Sequence, residues 1–123
     1  MAYTIIEVER KTGIPSTRIR FWIKKGLFPF LQEDENGVRY FSQRDIEALQ
    51  WVQCLRQTKM DIKTVKLYMD FSLQGDTTIK ERIKIIKNQI AFIKQDLSQT
   101  QKILEILEQK ITYLKENTNN ARR

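Results

Sequence analysis

With 123 residues, the chain has room for one compact domain, or for one small domain plus an appendage, which excludes large enzyme folds. It contains no histidine and one cysteine, Cys54, so imidazole acid–base chemistry, the usual zinc sites, Ser-His-Asp or Cys-His arrangements and an intrachain disulfide are all excluded. Twenty-two Lys and Arg against fifteen Asp and Glu give a net charge of +7, which favours a polyanionic partner such as nucleic acid or an anionic membrane surface.

In chain order, Thr4 followed by Glu7 is a capping-box pattern opening a short helix, IIEVERKT, which Gly13 is placed to end. After Pro15, STRIRFWIKK sets Ile19, Trp22 and Ile23 on one side at helical spacing, and Gly26 stops it. Two short helices across a glycine-containing turn are a helix-turn-helix arrangement, whose second helix enters the DNA major groove. From Arg10 through Gln32 there are six cations (Arg10, Lys11, Arg18, Arg20, Lys24, Lys25) and no acid. A solvated surface normally mixes both signs, so this run reads as a phosphate-facing surface.

LFPFLQEDENGVRYFS follows, with Asn36-Gly37 suited to a hairpin turn and Val38, Tyr40 and Phe41 as strand formers after it. A hairpin at this point is the wing of a winged helix, and its Arg39 and Tyr40 offer a cation and a hydroxyl to a phosphate. Ser42 and Asp45 cap a third helix with Ile46, Leu49, Val52 and Leu55 as its core stripe. Asp61 caps a fourth carrying Ile62, Val65 and Met69, ending near Gly75. Residues 1–75 are thus expected to form the winged helix-turn-helix domain.

From residue 76 the pattern changes. Thr78 and Glu81 read as the cap of a helix that continues without Gly or Pro to about Glu116, and 117–123 as a disordered tail. Ile79, Ile83, Ile86, Ile90, Ile93, Leu97, Thr100, Leu104, Leu107, Ile111 and Leu114 alternate in steps of four and three, which is a heptad seam for self-association. In-register parallel pairing would set Arg82 against Lys87 and Lys110 against Lys115 of the other helix, so like charges disfavour it. A second stripe at seven-residue intervals, Ile85, Phe92, Ile106 and Tyr113, is broken by Gln99; it is expected to pack against a globular head. The fold class is therefore mainly α: a winged helix-turn-helix followed by a dimerisation helix over 76–116.

These residues carry a resemblance. Tyr3-Thr4-Ile5, Gly13-Ile14, Arg20-Phe21-Trp22, Gly26-Leu27, Gly37-Val38-Arg39-Tyr40-Phe41 and Asp45-Ile46 stand in the order and spacing of the MerR family of bacterial transcription regulators. The resemblance implies an antiparallel coiled-coil homodimer that reads a palindromic promoter site and bends and untwists it. RNA polymerase is then affected indirectly, through the promoter. It further implies that Arg20 contacts phosphate, with Phe21 and Trp22 at paired aromatic positions that are usually Tyr-Tyr in the family. Arg39 and Tyr40 match the wing contacts, Ser16, Thr17 and Arg18 open the reading helix, and Lys24, Lys59 and Lys63 add to the DNA-facing set. For Ser16 and Thr17, capping and surface roles compete with base contact.

No metal or cofactor is expected, because the cysteine ligands that metal sensors of this kind carry at the end of the long helix are absent. DENGVRYF, QCLRQTKMDI and LQGDTTIKERI are similar to the subgroup linked to aldehydes and other electrophiles, in which one cysteine at the position of Cys54 is the proposed sensor. Two readings of Cys54 stand together: that sensor, its thiolate favoured by Arg56 and Lys59 nearby in sequence, or a small buried hydrophobe. No apolar run suggests a membrane span and MAYTIIEVERK lacks secretory-signal features, so a cytoplasmic location is expected. The alternative function is a coiled-coil adaptor or membrane-surface protein. It is disfavoured because the long helix mixes both signs of charge and the cation run lies on the short helix pair.

Overall fold

A computed structural model describes residues 2–121. Helices α1 (Ile5–Thr12) and α2 (Ser16–Lys24) are followed by strands β1 (Gln32–Glu33) and β2 (Arg39–Tyr40), then by α3 (Gln43–Gln57), α4 (Ile62–Leu73) and α5 (Ile79–Ala121), the last entered through a 3-10 turn at Gly75–Thr78. Both capping boxes form. Thr4 and Glu7 exchange bonds of 3.1 and 3.3 Å, and Ser42 and Asp45 exchange bonds of 2.8 and 3.1 Å. Asp61 accepts the Thr64 N–H at 2.8 Å to start α4. Each satisfies N–H groups that a helix end leaves without partners.

The core is one cluster drawn from all four short helices. Ile46, Leu49, Val52 and Leu55 form its α3 wall, against Val8, Ile19 and Trp22 from the helix pair and Val65, Tyr68 and Met69 from α4. Leu27, Phe28, Phe41 and Met60 fill it from the connecting segments. The hairpin is small: Gln32 pairs with Tyr40 and Glu33 with Arg39, antiparallel. Its turn is built by Asp34, which accepts the N–H groups of Asn36 and Val38 at 2.9 Å each through its carboxylate and that of Gly37 at 3.0 Å through its carbonyl. Gly37 has φ 76°, the left-handed conformation that closes the turn. The turn therefore spans Asp34–Gly37 rather than centring on Asn36-Gly37. Tyr3 and Phe41 exchange two backbone bonds of 2.8 Å, tying the N-terminus to the base of the wing.

The chain divides into two units, a head through Ile86 and a rod from Lys87 on, where the sequence suggests a boundary at 75/76. The difference lies in the first turns of α5. Arg82 donates to the Gly75 carbonyl at 3.0 Å and to the Thr78 hydroxyl at 3.2 Å, while Ile85 and Ile86 pack on the head core. Thr78 does not act as the expected cap. It is buried, its hydroxyl in hydrogen-bond reach of the Phe71 and Gly75 carbonyls, because the 3-10 turn runs straight into α5 and supplies the preceding carbonyls itself. The tail is corrected as well: α5 continues through Ala121, with Asn117 and Thr118 bonding the carbonyls of Tyr113 and Leu114 one turn back. Residues 122 and 123 of that expected tail lie outside the described residues.

Candidate nucleic-acid interface

The site begins at a missing cap. Pro15 precedes α2 and offers no side-chain acceptor to its first N–H groups. Glu9 supplies one from the preceding helix, accepting the Ser16 N–H at 2.7 Å. This bond fixes α2 against α1 and draws in the acid nearest the cation run. At 100° per residue, Arg20, Lys24, Thr17, Phe21, Lys25 and Arg18 then fall in that order over an arc of about 160°. All six are exposed, and Ile19, Trp22 and Ile23 occupy the opposite side.

Trp22 is therefore corrected. It is 3% exposed and belongs to the core, because its place three residues after Ile19 puts it on the inward face. The exposed aromatic ring on this arc is that of Phe21, 49% exposed, with the Lys25 ammonium 5.4 Å from its ring centre. Lys25 belongs to the same arc, although the motif comparison does not single it out; its membership in the acid-free run is the signal. Arg18 sits at the edge of the arc and reaches Gln53 of α3 at 3.4 Å. Ser16 is half-buried, its backbone taken by Glu9, and Thr17 is exposed.

On the wing, Tyr40 is exposed and Arg39 is half-buried. The Arg39 guanidinium is paired across the strands with Glu33 at 2.7 Å. The sequence reading does not identify this partner, although the hairpin register would have placed Glu33 opposite Arg39. Lys59 and Lys63 are exposed at the α3–α4 connection and on the first turn of α4, and Lys59 has a φ of 69°. Nearby, the Thr64 bonds and the charges of Lys63 and Arg56 hold the Asp61 carboxyl below the usual carboxylate range.

Cys54 is exposed on α3, beside Gln53. Arg56, expected to favour its thiolate, donates to the Met60 carbonyl at 2.5 Å and closes the α3–α4 connection. Among the described residues no His, Cys, Asp and Glu group could hold a metal ion, and no helix is long and apolar enough to cross a membrane. Along α5, Ile83, Ile90, Leu97, Leu104, Leu107 and Ile111 are 46–68% exposed and Ile93 is half-buried. Ile86, also expected in the seam, is half-buried and packs on the head core.

A two-helix reader with a cationic outer arc, a short wing and a trailing helix is the arrangement that the comparisons with known proteins identify. The MerR HTH family regulatory protein profile matches residues 3–72. The chain belongs to the MerR family. A crystal structure of a MerR family transcriptional regulator from Bacillus thuringiensis is 39% identical, covering 91% of this chain and 98% of that one, with a TM-score of 0.70. HiNmlR, a MerR family regulator lacking the sensor domain and bound to promoter DNA, is 34% identical over 94% of this chain and 92% of its own, also with a TM-score of 0.70. An uncharacterized HTH-type transcriptional regulator of Haemophilus influenzae is 34% identical over 92% of this chain and 84% of its own length. This MerR family member is accordingly a transcriptional regulator with a helix-turn-helix head, and its family is one of regulators, not enzymes.

Proposed function

We propose that the protein binds a palindromic promoter site as an antiparallel homodimer and distorts that DNA, acting on RNA polymerase through promoter geometry. The observation that carries this reading is the α2 arc: the cations Arg20, Lys24, Lys25 and Arg18 flank Thr17 and Phe21 on the outward side while the inward side is core. Arg20 and Lys24 neutralise phosphates, with Lys59 and Lys63 serving the flanking backbone. Ser16, Thr17 and Arg18 approach base edges, Arg18 addressing a guanine through two donors. Arg39 and Tyr40 carry the wing contact. Bending the duplex costs a few kcal/mol, offset by contacts available only in the bent form. The exposed apolar residues of α5 support the dimer, since a lone helix of 43 residues gains nothing by showing a heptad seam to water.

Footprinting on the DNA upstream of its own gene tests this reading. Protection of an inverted repeat within an overlong promoter spacer, lost in Arg20→Ala, is the expected result. Binding to anionic vesicles with no protected DNA would overturn it in favour of the membrane-surface alternative.

The exposure of Cys54 favours the thiol-sensor reading over the buried-hydrophobe one. On this reading, covalent modification of Cys54 shifts α3 against the partner's long helix and changes the spacing of the two heads on DNA. A Cys54→Ser protein that still switches transcription fully on electrophile challenge would disprove it.

A further inference from the structure

The order of side chains around α2 separates the two tasks of a reading helix. Along the outward arc, Arg20 and Lys24 lie on one flank, Lys25 and Arg18 on the other, and Thr17 and Phe21 occupy the middle, all six exposed. A helix lying in the major groove turns its flanks to the two phosphate walls and its middle line to the base edges. The cations therefore have the walls. The floor is left to one hydroxyl with its methyl and to one hydrocarbon ring. Thr17 and Phe21 are four residues apart and so are surface neighbours, with about 6 Å between their Cβ atoms, which spans about two base-pair steps of about 3.4 Å.

The chemistry of the ring decides what it can cover. Phe21 is 49% exposed and carries neither a hydrogen-bond donor nor an acceptor. A purine N7 or O6 pressed beneath it, or the amino group of cytosine or adenine, would lose water and gain no partner, which is a net loss. The major-groove edges of the four bases offer one apolar group, the C5 methyl of thymine. Covering that methyl breaks no hydrogen bond and removes apolar surface from water on both sides. The Lys25 ammonium, 5.4 Å from the ring centre, holds the ring to the helix surface from the wall side. Beside the ring, Thr17 adds a further methyl and a hydroxyl able to donate to an acceptor such as thymine O4.

We infer that Phe21, with Thr17 beside it, reads a 5-methylpyrimidine, the thymine of an ordinary operator, at one position of each half-site. The inference rests on the promoter-binding reading and names the base that the head selects there. It divides the labour on α2: Arg20 and Lys24 set affinity and its salt dependence, and the central pair sets which base is accepted.

Fluorescence anisotropy with the footprinted repeat from upstream of its own gene tests it by changing single groups on the DNA. Deoxyuridine pairs as thymine does and lacks only the methyl, so it is placed at each thymine of a half-site in turn. One position is expected to weaken binding about 4-fold, and substitution in both half-sites about 15-fold, the transfer values of one and two methyl groups. Phe21→Ala is expected to bind the thymine duplex more weakly and to bind thymine and deoxyuridine alike at that position, whereas Phe21→Leu keeps the difference. Replacing that T·A pair by C·G is expected to weaken binding, and 5-methylcytosine in place of the new cytosine to restore about 4-fold. Deoxyuridine that changes nothing at any position, in a duplex the protein binds and protects, overturns the inference and leaves promoter binding intact. A deoxyuridine effect undiminished in Phe21→Ala overturns the assignment to this ring. A protein that binds no duplex overturns the promoter-binding reading, and the base assignment with it.

Discussion

The wing gives the sharpest test of how this head meets DNA. On the proposed wing contact Arg39 meets a phosphate, yet its guanidinium is 2.7 Å from Glu33 across the hairpin, with both side chains partly exposed. A phosphate must therefore displace a carboxylate before Arg39 can bind it. An exposed pair of this kind holds about 0.2–1 kcal/mol, so Glu33→Gln is expected to tighten DNA binding by about 1.5- to 5-fold. Arg39 meets the same phosphate in both proteins, so the slope of log affinity against log salt is expected to stay unchanged. Fluorescence anisotropy with a labelled duplex from upstream of its own gene, titrated over a range of potassium chloride, reads both quantities. The double variant Glu33→Gln/Arg39→Gln separates release of Arg39 from a general gain in positive charge. If it keeps the whole gain, or if Glu33→Gln leaves affinity unchanged or alters the slope, the reasoning fails.

Three further outcomes follow from the same structure. Phe21→Tyr, which adds a hydroxyl to an exposed ring on the cationic arc, is expected to raise DNA affinity by about 0.5–1.5 kcal/mol in the same anisotropy assay. Leu49→Ala, at a fully buried α3 position, is expected to cost about 2–5 kcal/mol in urea unfolding. Asp61 has its folded-state pKa lowered by its bonds to Thr64, so its stabilisation is complete above the ordinary carboxylate range and is lost as pH falls through the depressed value. Against Asp61→Asn, which caps without titrating, the wild-type protein is expected to lose relative stability in thermal melts only below about pH 4.

Local patterns in the sequence translated directly into structure where a residue answers to its immediate neighbours. Thr4 with Glu7 and Ser42 with Asp45 form their boxes, and the three-residue spacing of Ile46, Leu49, Val52 and Leu55 becomes the α3 wall. Failures came where a distant partner decides the outcome. Trp22 drew two opposite assignments, one from helical spacing and one from the family's aromatic pair, and the core claimed it. Thr78 has the composition of a cap, but the carbonyls of α4 and the 3-10 turn reach it first. Glu9 and Glu33 gave no motif at all, because each acts on another element, the start of α2 and the opposite strand. Polarity alone reads 117–121 as unstructured, yet α5 continues through Ala121, with Asn117 and Thr118 bonding carbonyls one turn back.

Helix α5 contains neither glycine nor proline, and this makes it a gauge as well as a tether. Each inserted residue would lengthen it by about 1.5 Å and turn everything beyond by about 100°, so single insertions misalign its faces whereas a whole heptad returns them to within about 20°. One heptad is about 10.5 Å, close to three base-pair steps of B-form DNA. On the dimer reading, relatives with longer or shorter rods are then confined to half-site separations that change in coarse increments, and a lineage cannot retune its operator spacing by small insertions in this helix.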